Sequence, residues 1–114
     1  MRAVVKNISI DKLKEIFKNI EYVKIAVLFG SRAANKHHSF SDYDIAILAD
    51  NKDAWEFGGY WIDISNRLKI SDESLNLIDL KRVTPLLAKS IKEAFIVLKG
   101  SEDEFFRLLN SHKK

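Results

Sequence analysis

Gly30, Ser31, Asp42 and Asp44 are the residues of this 114-residue chain whose types and spacing could do chemistry. The apolar run Val27-Leu28-Phe29 ends in Gly30-Ser31, ten residues follow, and Asp42 and Asp44 open a second apolar run. Side chains two apart on a strand share a face, so both carboxylates point the same way. Like charges held together oppose each other's ionisation, and a nearby cation offsets that cost. Paired carboxylates plus phosphate oxygens are hard donors that suit magnesium. Gly30-Ser31, at a strand end, offers free backbone N–H groups to a phosphate. Together these features predict a nucleoside triphosphate site. The bland alternative is a pair of strand-entry acids making turn hydrogen bonds.

The positioning elements follow from pattern. Ser9 is an N-cap with Asp11 in the first turn, and Leu13, Ile16, Phe17 and Ile20 make one helical apolar stripe. Residues 23–29 read as the first strand and 31–36 as a short helix or turn. His37 and His38 read as loop residues. Residues 42–48 read as the second strand, with Tyr43, Ile45 and Ile47 on one face and Asp42, Asp44 and Ala46 on the other. A helix is expected over 54–68, with Trp55, Tyr60, Trp61, Ile64 and Leu68 inward. Gly58-Gly59 inside it costs about 1 kcal/mol per glycine relative to alanine. That pair implies close packing on a strand, a late helix start, or a bend at a substrate mouth. Residues 75–81 read as the third strand. Thr84-Pro85 opens a helix with Leu86, Leu87 and Ile91 inward. Residues 95–98 form a short last strand, and Ser101 with Glu104 forms a capping-box pattern before the apolar Phe105, Phe106, Leu108 and Leu109. That helix covers either its own domain or a partner.

Composition bounds the class. The length fits one small domain, residues 1–114. Hydrophobic content of 46% and charged content of 31% are those of an ordinary globular protein. No apolar run approaches the ~20 residues of a membrane span, and no signal-peptide apolar region opens the chain. The absence of cysteine excludes disulfides and thiolate-bound zinc and fits a cytoplasmic location. A net charge of +3 is too mild to mark a nucleic-acid surface, so direct nucleic-acid binding is not expected.

Gly30-Ser31, the ten-residue gap and Asp42-Tyr43-Asp44 resemble the signature of the nucleotidyltransferases of the DNA polymerase beta superfamily. The Gly30-Ser31-Arg32-Ala33 opening and the short length resemble the minimal nucleotidyltransferases, the antitoxin halves of HEPN–MNT toxin–antitoxin pairs. The resemblance spans roughly residues 10–100. It implies an α+β fold, a small mixed β-sheet with helices packed on it. It also implies two-metal phosphoryl transfer, with Asp42 and Asp44 binding Mg2+ that bridges the triphosphate of ATP. Gly30 and Ser31 would hold the beta and gamma phosphates, and Arg32 would add charge near the leaving pyrophosphate.

The family's third acid falls here on Asn76, nine residues before Pro85. Asn is a neutral, weaker magnesium ligand and cannot be the general base. Asp79 is the nearest acid, but it faces the other side of a regular strand and could serve as catalytic and metal residue only across a bulge. A site with only Asp42 and Asp44, or another acid such as Asp72 or Glu73, is the alternative. After Ala33 the family often has a basic residue and Gly; here Ala34-Asn35 follow, and Asn35 tolerates the left-handed turn. The resemblance implies AMP transfer to a hydroxyl, a tyrosine of a cognate HEPN toxin, within a hetero-oligomer; homodimerisation stays open. The alternative is a weakened module that neutralises its partner by binding alone. Adenylylation of a small molecule such as an antibiotic is a third reading, disfavoured because the acceptor-holding domain of larger relatives is not expected here.

Overall fold

The apolar stripe of the first predicted helix needs a surface to lie on, and the two strands that follow supply it. In a computed structural model, which describes residues 4–110, helix α1 spans Ile10–Lys18 and strand β1 spans Val23–Phe29. Strand β2 is Tyr43–Ala49 and helix α2 Ala54–Leu68. A short 3-10 turn, Asp72–Ser74, leads into strand β3, Leu75–Asp79. A second such turn, Leu80–Arg82, precedes helix α3, Pro85–Glu93. Strand β4, Phe95–Lys99, and helix α4, Glu102–Asn110, complete the order.

The four strands form one mixed sheet in the order β3-β2-β1-β4. Strand β1 runs antiparallel to both β2 and β4, and β2 runs parallel to β3, with α2 in the crossover. Side chains alternate between the faces. Leu28, Tyr43, Ile45 and Ile47 join Leu13, Phe17, Ile64 and Leu68 of α1 and α2 in one core. Val27, Phe29 and Ala46 join Ala88, Ile91, Phe105 and Leu109 of α3 and α4 in the other. Helices thus cover both faces, which is why β1 is apolar almost throughout.

Local chemistry sets the helix starts. Ser9, Asp53 and Thr84 each accept a backbone N–H of the first turn of α1, α2 and α3, the N-cap geometry that satisfies otherwise orphaned donors. Ser101 Oγ accepts the Glu104 N–H at 3.0 Å ahead of α4.

Several boundaries and faces differ from expectation. Strand β2 starts one residue after Asp42 and ends one residue later, at Ala49. Residues 31–35 form turns, closed by bonds from Ala34 N–H to Gly30 O and Lys36 N–H to Ser31 O. Strand β3 stops at Asp79, whose carboxylate accepts the Lys81 N–H and starts the 3-10 turn. Trp55 and Leu86 lie on the surface, 90% and 79% exposed, because each sits in the first turn of its helix on the side away from the sheet. Gly58 and Gly59 lie inside one helix that already starts at Ala54, and neither packs on a strand: a Cβ at either would meet nothing within 4 Å. Helix α4 lies on its own core, where Phe105 is fully buried and Phe106 meets Phe95 edge-on at 5.4 Å between centroids.

Candidate active site

The end of β1 meets the start of β2, so the Gly30-Ser31 loop that leaves the one lies beside the carboxylates that open the other. Phe29 pairs with Asp44 across the antiparallel ladder, and Asp44 pairs with Asn76 across the parallel one. Gly30 follows directly, at φ +76°, and a Cβ there would collide with Asp44 Oδ2 and lie 3.2 Å from its Cγ. Glycine is required on both counts: the left-handed backbone penalises a side chain, and the carboxylate already fills the space. The loop therefore approaches Asp44 as closely as backbone can. Among the described residues, no hydrogen bond takes up the Ser31 N–H or Oγ.

Asp42 and Asp44 are both half-buried. Burial raises the Asp44 pKa above its ordinary value, the neighbouring Asp42 charge adds to that, and a hydrogen bond from Asn76 pulls it back down. That bond runs from Asn76 Nδ2 to Asp44 Oδ1 at 3.1 Å. Asn76 thus stands on the Asp44 side of β3, as strand parity predicted, and uses its amide to orient the carboxylate.

Asp79 does not join this group. The β2–β3 register advances residue for residue from Tyr43↔Leu75 to Ile47↔Asp79, with no bulge to turn Asp79 around. Its carboxylate accepts from Asn51 Nδ2 at 3.2 Å and from the Lys81 N–H at 3.0 Å. Asp72 and Glu73 sit in the 3-10 turn before β3 and do not join either. Among the described residues no group of three His, Cys, Asp or Glu gathers as a metal site.

Arg32 also departs from its expected place beside a pyrophosphate. It is 7% exposed, donates Nε and Nη2 to Ser41 O at 3.1 and 2.9 Å, and lies 4.0 Å over the Tyr43 ring. Tyr43 and Asp44 face opposite sides of β2, so the guanidinium stacks on the side away from Asp44. Its role is to clamp the loop one residue before Asp42. Ser41 closes the same loop by accepting the His38 N–H on Oγ at 3.0 Å. The Tyr43 hydroxyl donates to Lys6 O at 2.7 Å and accepts the Ile8 N–H at 2.8 Å, tying down the segment before α1. Sequence reasoning missed this clamp. The signal was Tyr43 itself, an inward polar aromatic between two outward acids that had to find buried partners.

The donor chemistry fits a magnesium ion. Asp42, Asp44 and the Asn76 carboxamide are hard oxygen donors, and burial beside the Asp42 charge raises the Asp44 pKa, a cost that a cation would offset. The side-chain-free Gly30 lets the loop backbone lie directly against the Asp44 carboxylate.

Comparison with known proteins agrees with this geometry. The family model for polymerase beta nucleotidyltransferases matches residues 11–104. No curated protein sequence matches the chain. A crystal structure of a toxin–antitoxin complex with AMP-PNP contains a chain that superposes with a TM-score of 0.71 at 21% identity, over 92% of this chain and 84% of that one. A structure of a tri-AMPylated Shewanella oneidensis HEPN toxin in complex with MNT antitoxin gives 0.62 at 20% identity, over 90% and 79%. A MntA–HepT toxin–antitoxin structure gives 0.61 at 20% identity, over 90% and 80%. The match over most of the chain shows that this protein belongs to the polymerase beta nucleotidyltransferase family.

Proposed function

We propose that this chain is an antitoxin-type nucleotidyltransferase that transfers AMP from ATP to a hydroxyl, a tyrosine of a HEPN toxin partner. The observation that carries the reading is the Gly30 backbone pressed against Asp44, with Asp42 alongside. The structural neighbours that hold AMP-PNP or a tri-AMPylated HEPN toxin support ATP as the nucleotide and a HEPN toxin as the acceptor. In this reading the Ser31 N–H and hydroxyl bind the triphosphate oxygens. Asp42 and Asp44 would hold magnesium, which when bound would supply neutralisation of phosphate charge and a lowered pKa for a nearby hydroxyl. The tyrosine hydroxyl gives up its proton to solvent, its oxygen forms a bond to the alpha phosphorus, the bond from that phosphorus to the bridging oxygen breaks, and pyrophosphate leaves. The Arg32–Ser41 clamp keeps Asp42 in place throughout.

Asn76 sets the second reading, a fold that neutralises its partner by binding alone. Its amide donates to Asp44 where the family's third acid would accept a proton. The two readings part on one assay. With ATP labelled on the alpha phosphate, magnesium and the toxin, label should move to the toxin in wild type and stay on nucleotide in Asp42→Ala. Neutralisation of the toxin by Asp42→Ala as fully as by wild type, without label transfer in either, would select the binding reading.

A further inference from the structure

Tyr43 stands between the two acids, and its side chain is held at both ends. The pairing of β2 begins at Tyr43 and Asp44, so Asp42 lies just ahead of the paired residues. Both chain neighbours of Asp42 are fixed by contacts from elsewhere. The Ser41 carbonyl is taken by Arg32. The Tyr43 ring is buried beneath the same guanidinium, and its hydroxyl reaches the segment before α1. There it donates to Lys6 O at 2.7 Å and accepts the Ile8 N–H at 2.8 Å. Asn7, between those two residues, accepts from Arg32 Nη1 at 3.4 Å, and the Val5 N–H donates to Ser39 O at 2.8 Å. Residues 5–8 are therefore a strap across the loop that ends in Asp42, and the Tyr43 hydroxyl is fastened to it. Apolar packing does not account for that hydroxyl: phenylalanine would fill the core equally, and a buried hydroxyl is costly unless paired.

We propose that Tyr43 is the positioning residue of the acid pair: its hydroxyl, gripped by Lys6 and Ile8, fixes the rotation of β2 at its first residue and so aims Asp42 and Asp44 at a divalent cation. Successive side chains on a strand point to opposite faces. A twist at Tyr43 therefore swings both acids on the other face. A tyrosine has two side-chain torsions and a stiff ring, so holding its far end leaves its backbone little freedom. Asp44 has a second support in the amide of Asn76, so loss of the strap falls mainly on Asp42. This inference rests on the reading of Asp42 and Asp44 as a magnesium pair, and adds what aims them.

The test is Tyr43→Phe, which keeps the ring beneath Arg32 and removes both hydroxyl bonds, set beside Ile91→Val in the opposite core. Hydrogen exchange is measured on the free chain, magnesium affinity by calorimetric titration, and kcat and KM by label transfer to the HEPN toxin. Tyr43→Phe should speed exchange over residues 38–42 about tenfold, the worth of one hydrogen bond, and leave β4 as in wild type. Magnesium affinity and kcat should each fall by about the same factor, with KM for the toxin unchanged, and excess magnesium should restore part of the kcat. Ile91→Val should lower the melting temperature but leave magnesium affinity and kcat unchanged. Coupling between two sites is reciprocal, so in wild type magnesium should slow exchange of the Ile8 amide, a readout that needs no variant. Wild-type magnesium affinity and kcat in Tyr43→Phe would overturn the positioning role and leave the AMP-transfer reading standing. An Ile8 amide indifferent to magnesium would overturn it, and so would an equal loss of magnesium affinity in Ile91→Val, since general loosening would then suffice. Weakened magnesium binding in Tyr43→Phe, with no label transfer even in wild type, would uphold the positioning role and fail the transfer reading. Absence of magnesium binding by wild type would sink both.

Discussion

Asp44 pays for its position in stability, and that gives the residue scale its clearest test. Burial and the Asp42 charge raise its folded-state pKa. A raised carboxylate pKa means the folded chain binds more protons than the unfolded one between the two values. Stability therefore falls as pH rises through that window and stays reduced above it. Asp44→Asn should accordingly raise the melting temperature at neutral pH, with the gain vanishing below the ordinary carboxylate range; a fall at neutral pH would contradict the account. The same raised pKa predicts that metal affinity declines with acidification sooner than for a solvent-exposed carboxylate, measurable by calorimetric titration of magnesium at a series of pH values. Asn76→Asp supplies the missing acid beside Asp44, and should raise the transfer rate at least tenfold. An unchanged or lower rate would show that the amide is the functional group. The residues of this site were largely legible, because the period of a strand fixes which side chains share a face. Arg32 was not: residue type gives a charge but not the direction in which a turn sends it. That direction was set by the free Ser41 carbonyl and the Tyr43 ring.

Element boundaries followed the caps. Ser9, Asp53 and Thr84 mark helix starts in the sequence because each side chain satisfies a donor that the helix leaves open. The two misplaced apolar residues show where pattern yields to residue type. Trp55 lies nine residues before the fully buried Ile64, a rotation of about 180° on a helix of 3.6 residues per turn. The angle placed it outside, although its size suggested the core. Asp79 belongs to this scale as well, since it starts the 3-10 turn after β3 and holds Asn51. Asp79→Ala should cost about 1 kcal/mol of stability, as loss of a cap does, and leave AMP transfer at the wild-type rate. A loss of transfer without a loss of stability would return Asp79 to the site.

Across the whole molecule, four strands and helices on both faces serve to bring the loop after β1 onto the first residues of β2. The alternation that packs Tyr43, Ile45 and Ile47 inward turns Asp44 outward, so core and site are two readings of one pattern. The sheet order itself was not legible: strand pattern says which face is apolar, not which strands are neighbours. Nor does it show the space around a helix face: Gly58 and Gly59 of α2 left close packing, a late helix start and a bend all open until the space around them was known. The most direct test of the central claim is intact mass spectrometry of the HEPN toxin after incubation with this chain, ATP and magnesium. The account predicts AMP-sized increments with wild type that disappear with Asp42→Ala and with magnesium removed. A toxin whose mass stays unchanged while it remains tightly bound and silenced would contradict it.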